Sequence, residues 1–224
     1  MTYRGFTVPN PALVIVGGGG HATSVYNVAL SAGYEIAHFV DPARRATRLL
    51  DVEVVGAIED IKAREQFHFC IAVGDNHRRE VIRNDLSRLA PTPAFPALIH
   101  ASAVISCGTT VGEGTVVMPG AIVGPNSSVG RFCILNTRCS IDHDGRMRDY
   151  SSLAPGATTG GRVQIGARTA VCIGAVIKHG VTLGEDCVLG AMSYLDRDLA
   201  DRQLAYGTPA RVVRPRSRGE PYLK

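Results

Sequence analysis

The chain contains no tryptophan, and its aromatic residues make up only 6% of 224 positions. Its formal net charge is +4, and lysine and arginine form no extended run. Binding to duplexes requires a cationic surface, and binding to single strands uses aromatic side chains on which bases stack. The composition therefore argues against a nucleic acid as partner.

Long apolar segments are also missing. The apolar stretch nearest the N-terminus, residues 12–16, is short and runs into glycines, whereas a transmembrane helix needs about 20 apolar residues. Nothing there is typical of a signal peptide. The six cysteines form no CxxC pair, which favours small core residues in a reducing compartment over disulfides. We expect a cytoplasmic protein that does not associate with membranes.

A six-residue repeat dominates the second half of the chain. Steps of six from Ile99 to Leu189 give an apolar column that only Thr159 interrupts. Four residues after each member the side chain is almost always small, as at Ala121 and Cys133. A unit this short cannot bury its own apolar face, so successive units must stack. The repeat predicts a narrow solenoid of parallel strands over residues 99–199.

The first half alternates strands with helical segments, which is typical of a parallel sheet with crossover helices. We therefore predict a Rossmann-like α/β domain over residues 1–98 and a C-terminal tail over residues 200–224, in which Arg216 and Arg218 are solvated. The predicted strands are residues 12–16, 34–40, 52–55 and 67–73, and the predicted helical segments are residues 23–31, 58–65 and 76–89.

Four glycines, Gly17, Gly18, Gly19 and Gly20, lie between the first strand and the first helix. A glycine-rich turn lets backbone amides approach an anion at a helix N-terminus. With Asp41 after the second strand, the loop fits a dinucleotide fingerprint, so a nicotinamide-dependent oxidoreductase is one interpretation. A nucleotide diphosphate would fit the same loop equally well, and a tight turn without ligand is the third reading.

Five separated motifs carry a more specific resemblance. They are the glycines with His21, Asp41, the group Gly74, Asn76 and Arg79, the segment from Asn136 to Asp144, and the C-terminal segment ending at Arg211. In this order they resemble the bacterial nucleotide-sugar N-acetyltransferases of the hexapeptide-repeat superfamily, relatives of the sialic acid O-acetyltransferases. The resemblance implies a left-handed β-helix with three hexads per turn, a homotrimer, acetyl-CoA as co-substrate, no metal, and a setting in polysaccharide biosynthesis.

The chemistry is expected at His143, which would take a proton from the amine of a nucleotide-linked deoxyaminosugar. A carboxylate can orient the imidazole and stabilise its charged form. Alternation along an extended hexad allows only one of Asp142 and Asp144 to share its side, and the resemblance favours Asp144. Asn136 would contact the acceptor or orient the base. Direct transfer is expected, because no placed nucleophile is evident.

The resemblance also implies two sets of binding residues. The nucleotide sugar would contact Gly17, Gly18, Gly19, Gly20, His21, Asp41, Gly74, Asn76 and Arg79. Acetyl-CoA would contact Ser152, Gly161, Ile173, Lys178, Gly190, Ala191 and Arg211. Ser152 is a departure, since relatives often carry a second histidine nine residues after the catalytic one.

Four alternatives remain open from the sequence. The acceptor could be a hydroxyl of a sialic acid-like sugar, the transferred group could be another short acyl group, or the chain could be a nucleotide-binding module without catalysis. His179, 36 residues after His143, also invites comparison with β-helix carbonic anhydrases, but Gly184 stands where a third histidine would be needed.

Overall fold

The computed structural model describes residues 10–44, 47–89 and 93–223. Its N-terminal part is an α/β unit whose five strands form one sheet in the order β3-β4-β2-β1-β5. The elements are β1 (Leu13–Val16), α1 (Gly20–Ser31), β2 (Ile36–Val40), β3 (Thr47–Leu49), β4 (Val52–Val55), β5 (His68–Ile71) and α2 (Asn76–Leu86). All neighbouring strands are parallel except β3 and β4. The predicted Rossmann-like topology is confirmed.

The structure differs from the predicted elements of this unit in the following details. The helical segment at residues 58–65 is instead two single 3₁₀ turns, Ile58–Asp60 and Arg64–Gln66. Ala63, between them, adopts a left-handed backbone conformation with φ of 51°, which a continuous helix does not allow. Strand β3 was not predicted, and α2 ends at Leu86 rather than at residue 89.

The second part is a solenoid of two-residue strands, each paired with the strand 18 residues further on. Side 1 of the solenoid contains β6 (Leu98–Ile99), β9 (Val116–Val117), β12 (Ile134–Leu135), β15 (Ser152–Leu153), β18 (Ala170–Val171) and β21 (Val188–Leu189). Side 2 contains β7 (Val104–Ile105), β10 (Ile122–Val123), β13 (Ser140–Ile141), β16 (Thr158–Thr159), β19 (Val176–Ile177) and β22 (Tyr194–Leu195). Side 3 contains β8 (Thr110–Val111), β11 (Ser128–Val129), β14 (Arg146–Met147), β17 (Gln164–Ile165) and β20 (Thr182–Leu183).

This arrangement is the predicted left-handed β-helix, with three hexads in each coil of 18 residues. The second residue of each strand points inward, so the six-residue column becomes a buried stack that includes Leu135, Ile141 and Leu153. Ile105 is 36% exposed because the first coil has no coil before it to cover its core.

Buried hydroxyls fill much of the small-residue column without leaving polar atoms unpaired. The Thr115 hydroxyl donates to the Gly130 carbonyl at 2.8 Å, and the Ser127 hydroxyl donates to the Asp142 carbonyl at 2.8 Å. Each also accepts a backbone N–H from the next coil. These contacts tie adjacent coils together at the corners and satisfy groups that would otherwise be costly to bury.

The α/β unit packs on side 1 of the solenoid. Val25 and Val28 of α1 share a core with Leu98, Val116 and Met118. Across the triangular solenoid, the edge between sides 2 and 3 lies opposite to this contact. None of the helices in the described parts of the chain has both the length and the apolar character needed to cross a bilayer.

The C-terminal residues continue the fold instead of forming only a solvated tail. Strand β23 (Gln203–Gly207) extends side 1, and β24 (Ala210–Pro215) pairs with it in an antiparallel manner. The Arg216 side chain is only 6% exposed, since it bonds to the Asp186 carbonyl and to Glu220. The prediction that Arg216 is solvated is therefore wrong, while Arg218 is 61% exposed as expected.

Candidate active site

His143 lies on the edge between sides 2 and 3, directly after β13. Its Nδ1 is 2.8 Å from Oδ2 of Asp144, and its backbone N–H donates to Oδ1 of Asp142 at 2.7 Å. Asp144 occupies the corner with φ of 56°, a left-handed conformation that aspartate tolerates better than most residues. The predicted histidine–carboxylate pair is thus formed with Asp144, while Asp142 holds the backbone.

The two side chains are half exposed, 47% for His143 and 50% for Asp144. The hydrogen bond from His143, opposed by partial desolvation, holds the pKa of Asp144 below its ordinary value. An ionised Asp144 fixes the proton of the neutral imidazole on Nδ1, which leaves Nε2 as an acceptor. This arrangement is suited to receiving a proton from a bound nucleophile.

The face of the imidazole ring rests on Gly161, one coil further along the same edge. A Cβ at position 161 would overlap Nε2, Cε1 and Cδ2 of His143. His179 follows one coil later, at the exposed surface of the same edge. Within the described residues, no group of three histidine, cysteine or acidic side chains is arranged to hold a metal ion.

The glycine loop and Asp41 come together at the carboxyl edge of the N-terminal sheet, as predicted. Gly17 has φ of 128°, and a Cβ there would lie 2.7 Å from the Ala72 carbonyl oxygen. The Asp41 carboxylate sits against Gly18 and accepts the Ala43 N–H at 2.9 Å. Gly19 and Gly20 face open space, so the N-terminus of α1 is uncovered. An anion can approach these backbone amides closely.

His21 follows this loop in the first turn of α1. Its Nε2 is buried and has no hydrogen-bond partner among the described residues. Burial, reinforced by the nearby positive charge of Arg79, lowers the pKa of His21 to about 4. The side chain is therefore neutral at physiological pH, and its unpaired nitrogen can accept or donate a hydrogen bond.

Asn76 and Arg79 lie in the interface between the two parts of the chain, each 1% exposed. Arg79 donates to the carbonyls of Phe132 and Tyr150 on the solenoid, at 2.7 and 2.9 Å. It also donates to the carbonyls of Val73 and Gly74 and to Oδ1 of Asn76.

The amide nitrogen of Asn76 in turn donates to the Arg168 and Thr169 carbonyls. Each N–H group of the Arg79 and Asn76 side chains thus has an acceptor within the protein. This placement gives no support to their predicted substrate contacts. Instead the structure assigns the two residues the role of joining the domains. Gly74 is different, because it is only half-buried and, following β5 next to β1, lies at the sheet edge that carries the glycine loop.

The predicted acetyl-CoA residues border side 2 along its two edges, with two exceptions. Ile173, Gly190 and Ala191 lie on the edge between sides 1 and 2, whereas Gly161 and Lys178 lie on the edge that carries His143. Asn136, which was predicted to contact the acceptor or orient the base, also lies on the edge between sides 1 and 2. Asn136 is therefore separated from His143 of the same chain by the width of side 2, and its Oδ1 accepts the Thr137 N–H. It does not orient that base.

Ser152 and Arg211 are the exceptions. Ser152 is the first residue of β15 on side 1. It follows His143 by nine residues, which is half of an 18-residue coil, so the two residues of one chain lie on opposite parts of the solenoid. Arg211 lies on β24 and forms an ion pair of 3.4 Å with Asp196. It is 52% exposed and retains donors for an anion.

One neighbour of the site was not predicted. The Tyr222 hydroxyl donates to the Gly74 carbonyl at 3.1 Å, because the chain folds back on the α/β unit after β24. The only sequence signal is a tyrosine and a leucine close to the C-terminus, which is too weak to predict this contact.

Comparisons with known proteins agree with this architecture. Residues 12–86 match the family described as the PglD N-terminal domain. The chain is similar to a mutant GDP-perosamine N-acetyltransferase from Caulobacter crescentus, solved in complex with CoA and GDP-perosamine. The identity is 32%, the TM-score is 0.84, and the match covers 90% of this chain and 96% of that chain.

A second similar structure is the acetyltransferase domain of PglB from Neisseria gonorrhoeae in complex with acetyl coenzyme A. Here the identity is 30% and the TM-score 0.84, with coverage of 91% of this chain and 100% of that chain. WeeI from Acinetobacter baumannii shares 19% identity at a TM-score of 0.74, covering 90% and 99% of the two chains. This last likeness concerns the fold alone.

Proposed function

The chain is an acetyltransferase that belongs to the hexapeptide-repeat family of nucleotide-sugar N-acetyltransferases, and from this premise we propose that it acetylates the amino group of a nucleotide-linked deoxyaminosugar with acetyl-CoA. The observation that carries the proposal is the His143–Asp144 pair, with a free Nε2 above Gly161. The proposed setting is cytoplasmic assembly of a surface glycan.

In the proposed reaction the free amine attacks the thioester carbonyl carbon of acetyl-CoA. The new N–C bond forms as the proton of the amine passes to Nε2 of His143. Collapse of the tetrahedral intermediate breaks the C–S bond, and the imidazolium returns its proton to the leaving thiolate. Asp144 stabilises the imidazolium between these two steps. No acyl-enzyme is required.

Binding of the nucleotide sugar is assigned to the carboxyl edge of the N-terminal sheet. The open amides of Gly19 and Gly20 at the N-terminus of α1 suit a diphosphate, and Asp41 and His21 supply polar groups beside it. The alternative hydride-transfer function has no comparable support, because the second half of the chain is an acyltransferase β-helix. A sialic acid-like hydroxyl acceptor is the remaining alternative within the superfamily.

The position of the two sites implies that they are completed by a second copy of the chain. The α/β unit lies on side 1, whereas His143 lies on the edge opposite to side 1. The glycine loop and the base of the same chain therefore belong to different sides of the solenoid, which supports a site shared between subunits. We assign the enzyme a homotrimer in which the base of one subunit serves the neighbouring nucleotide site, with acetyl-CoA along side 2 between solenoids.

The function is tested by measuring thiol release from acetyl-CoA with UDP-, GDP- and dTDP-linked amino sugars. We expect turnover with one of them, and a loss of at least about a hundredfold in His143→Ala. His100→Ala is the matched control, since His100 is another solenoid histidine whose Nδ1 is hydrogen-bonded, to Ser102, outside the proposed site. Turnover with a hydroxyl acceptor but with no amine would overturn the N-acetyl assignment.

The shared site is tested by mixing two inactive variants. His143→Ala removes the base, and Gly20→Glu places a carboxylate at the proposed phosphate site. Random mixed trimers should recover roughly a quarter of the wild-type activity if each site combines two subunits. A site within one chain predicts no recovery.

A further inference from the structure

The last residues of the chain form a strap, residues 216–223, which crosses from β24 to the α/β unit. Glu220 fastens it through a two-pronged ion pair with Arg214, with one N–O distance of 2.6 Å, and the buried Arg216 also bonds to Glu220. Further along, Arg218 pairs with Glu80 of α2 at 3.4 Å. These contacts give the strap a defined course over the α/β unit.

Tight packing under the strap shows that it covers no binding cavity of its own. The space between it and residues 75–77 amounts to only about 10 Å³, which is at the lower limit for one water molecule. A Cβ at Gly74 would lie 3.1 Å from Cδ1 of Leu223, and one at Gly219 would overlap the ring of His77. The strap is therefore a fixed wall beside the Gly74 loop.

Tyr222 is the residue of this wall that contacts both halves of the protein. Its hydroxyl donates to the Gly74 carbonyl at 3.1 Å, and the Ser152 side chain on side 1 lies close enough to act on the pKa of the phenol. Burial raises the pKa of Tyr222, which keeps the phenol protonated and able to donate. Gly74 follows β5, which pairs in parallel with β1, so it lies at the sheet edge that carries the glycine loop, and Ser152 lies on the side of the solenoid to which the α/β unit is attached.

We infer that Tyr222 is a positioning residue for the nucleotide-linked sugar, because its hydroxyl holds the Gly74 carbonyl at the junction between the nucleotide site and the solenoid. The inference rests on the proposed function. It extends that function to the C-terminal strap, to which neither the sequence motifs nor the resemblance gives a role. Through Gly74 the strap would fix the backbone at the sheet edge where the nucleotide is proposed to bind.

The test compares steady-state kinetics of Tyr222→Phe with those of the wild type. Removing the hydroxyl takes away one of the two donors to the Gly74 carbonyl, which keeps its bond from Arg79, and leaves the ring in place, so the fold should persist. We expect the KM for the nucleotide sugar to rise by about threefold to tenfold, the effect of losing one buried hydrogen bond. The KM for acetyl-CoA should stay at the wild-type value, and the thermal midpoint should fall by no more than about 2–4 °C.

Tyr34→Phe is the matched control. Tyr34 is another partly buried tyrosine whose pKa is raised by burial, but it lies near the opposite edge of the sheet, beside His68. A lower thermal midpoint in Tyr222→Phe with an unchanged sugar KM would assign Tyr222 a purely structural role and overturn the inference. Absence of turnover in the wild type would instead contradict the proposed function itself, so the two failures are distinguishable.

Should Tyr222→Phe be too mild to interpret, Glu220→Ala provides a second measurement. It removes the main anchor of the strap without touching Gly74 or Ser152. We expect the same selective rise in the sugar KM, by at least threefold or so. An unchanged sugar KM in both variants would overturn the inference.

Discussion

The imidazole of His143 lies directly over the backbone of Gly161, at the position 18 residues later in the solenoid. No side chain could occupy position 161 without displacing the ring. The absence of a Cβ at Gly161 is therefore part of what sets the orientation of His143 and the direction in which Nε2 points. Gly161 was predicted as a neighbour of acetyl-CoA, and in the structure its nearest side chain is the proposed base.

Gly161→Ala is expected to lower kcat by about ten- to a hundredfold, because the imidazole must rotate away from its position. The fold should survive, since the overlapping atoms are the tip of a half-exposed side chain and not backbone. The rate is measured by thiol release, and the fold by the thermal midpoint.

A double variant separates this explanation from general damage. If Gly161→Ala acts only through His143, the combination with His143→Ala should be no slower than His143→Ala alone. An additive loss would show that Gly161 has another role, such as direct contact with acetyl-CoA.

Arg79→Lys is expected to destabilise the protein by about 3–5 kcal/mol, because an ammonium group has three donors and cannot reach five acceptors in different directions. The carbonyls of Phe132 and Tyr150 would lose their partner across the interface. Urea unfolding measures the loss. Arg78→Lys, one residue earlier on the exposed face of α2, should stay within about 0.5 kcal/mol of the wild type. A similarly small effect of Arg79→Lys would contradict the interface role.

The contrast between Arg79 and His143 shows where sequence reasoning succeeds. The solenoid follows from a local rule, the period of six. A carboxylate beside His143 is equally local, because Asp142 and Asp144 flank it in sequence, while the choice of Asp144 rests on the resemblance. The meeting of the glycine loop and Asp41 could also be predicted locally. The loop follows β1 and the aspartate follows β2, and the carboxyl ends of neighbouring parallel strands lie at the same edge of the sheet. These features could be predicted because each depends on few residues close in sequence.

Features that depend on distant residues could not be predicted. Arg79 meets Phe132 and Tyr150 only because the α/β unit packs on side 1, and Tyr222 meets Gly74 across 148 positions. In the sequence Arg79 is one of several arginines on a polar helix. The resemblance singled it out as a substrate contact, but the burial that places it in the interface arises from the packing of two domains, which no local pattern encodes.

His21 should make the stability of the protein depend on pH in a defined window. The folded chain keeps this histidine neutral down to about pH 4, whereas the unfolded chain takes up a proton near pH 6.5. The unfolded state thus binds more protons between these values, and stability falls as the pH falls from 6.5 towards 4. We expect a loss on the order of 2 kcal/mol between pH 7 and pH 4.5 from this group.

The His21→Gln variant lacks the titrating group. Between pH 7 and pH 4.5 the unfolding free energy of this variant should therefore fall by about 2 kcal/mol less than that of the wild type. Urea unfolding of both proteins at the two pH values measures the difference. Parallel changes in the two proteins would mean that the imidazole is not desolvated in the folded state.

The outer surface of side 2 is the predicted contact between subunits. Its outward residues include Val104, Ile122 and Val176, which are 41–53% exposed, whereas the corresponding residues of side 3 include Thr110 and Arg146. Exposed apolar residues on a flat sheet favour burial against another copy. Ile122→Asp is expected to convert the proposed trimer to monomers, because a carboxylate buried in the contact has no partner.

Light scattering with size-exclusion chromatography gives the mass of each species. Thr110→Asp is the control, since it introduces the same charge at an outward position of the polar side 3 and should leave the trimer intact. If the base of one subunit serves the site of the next, Ile122→Asp should lose its transferase activity together with its trimeric mass, although every proposed site residue is still present. A monomer with full activity would place the complete site within one chain.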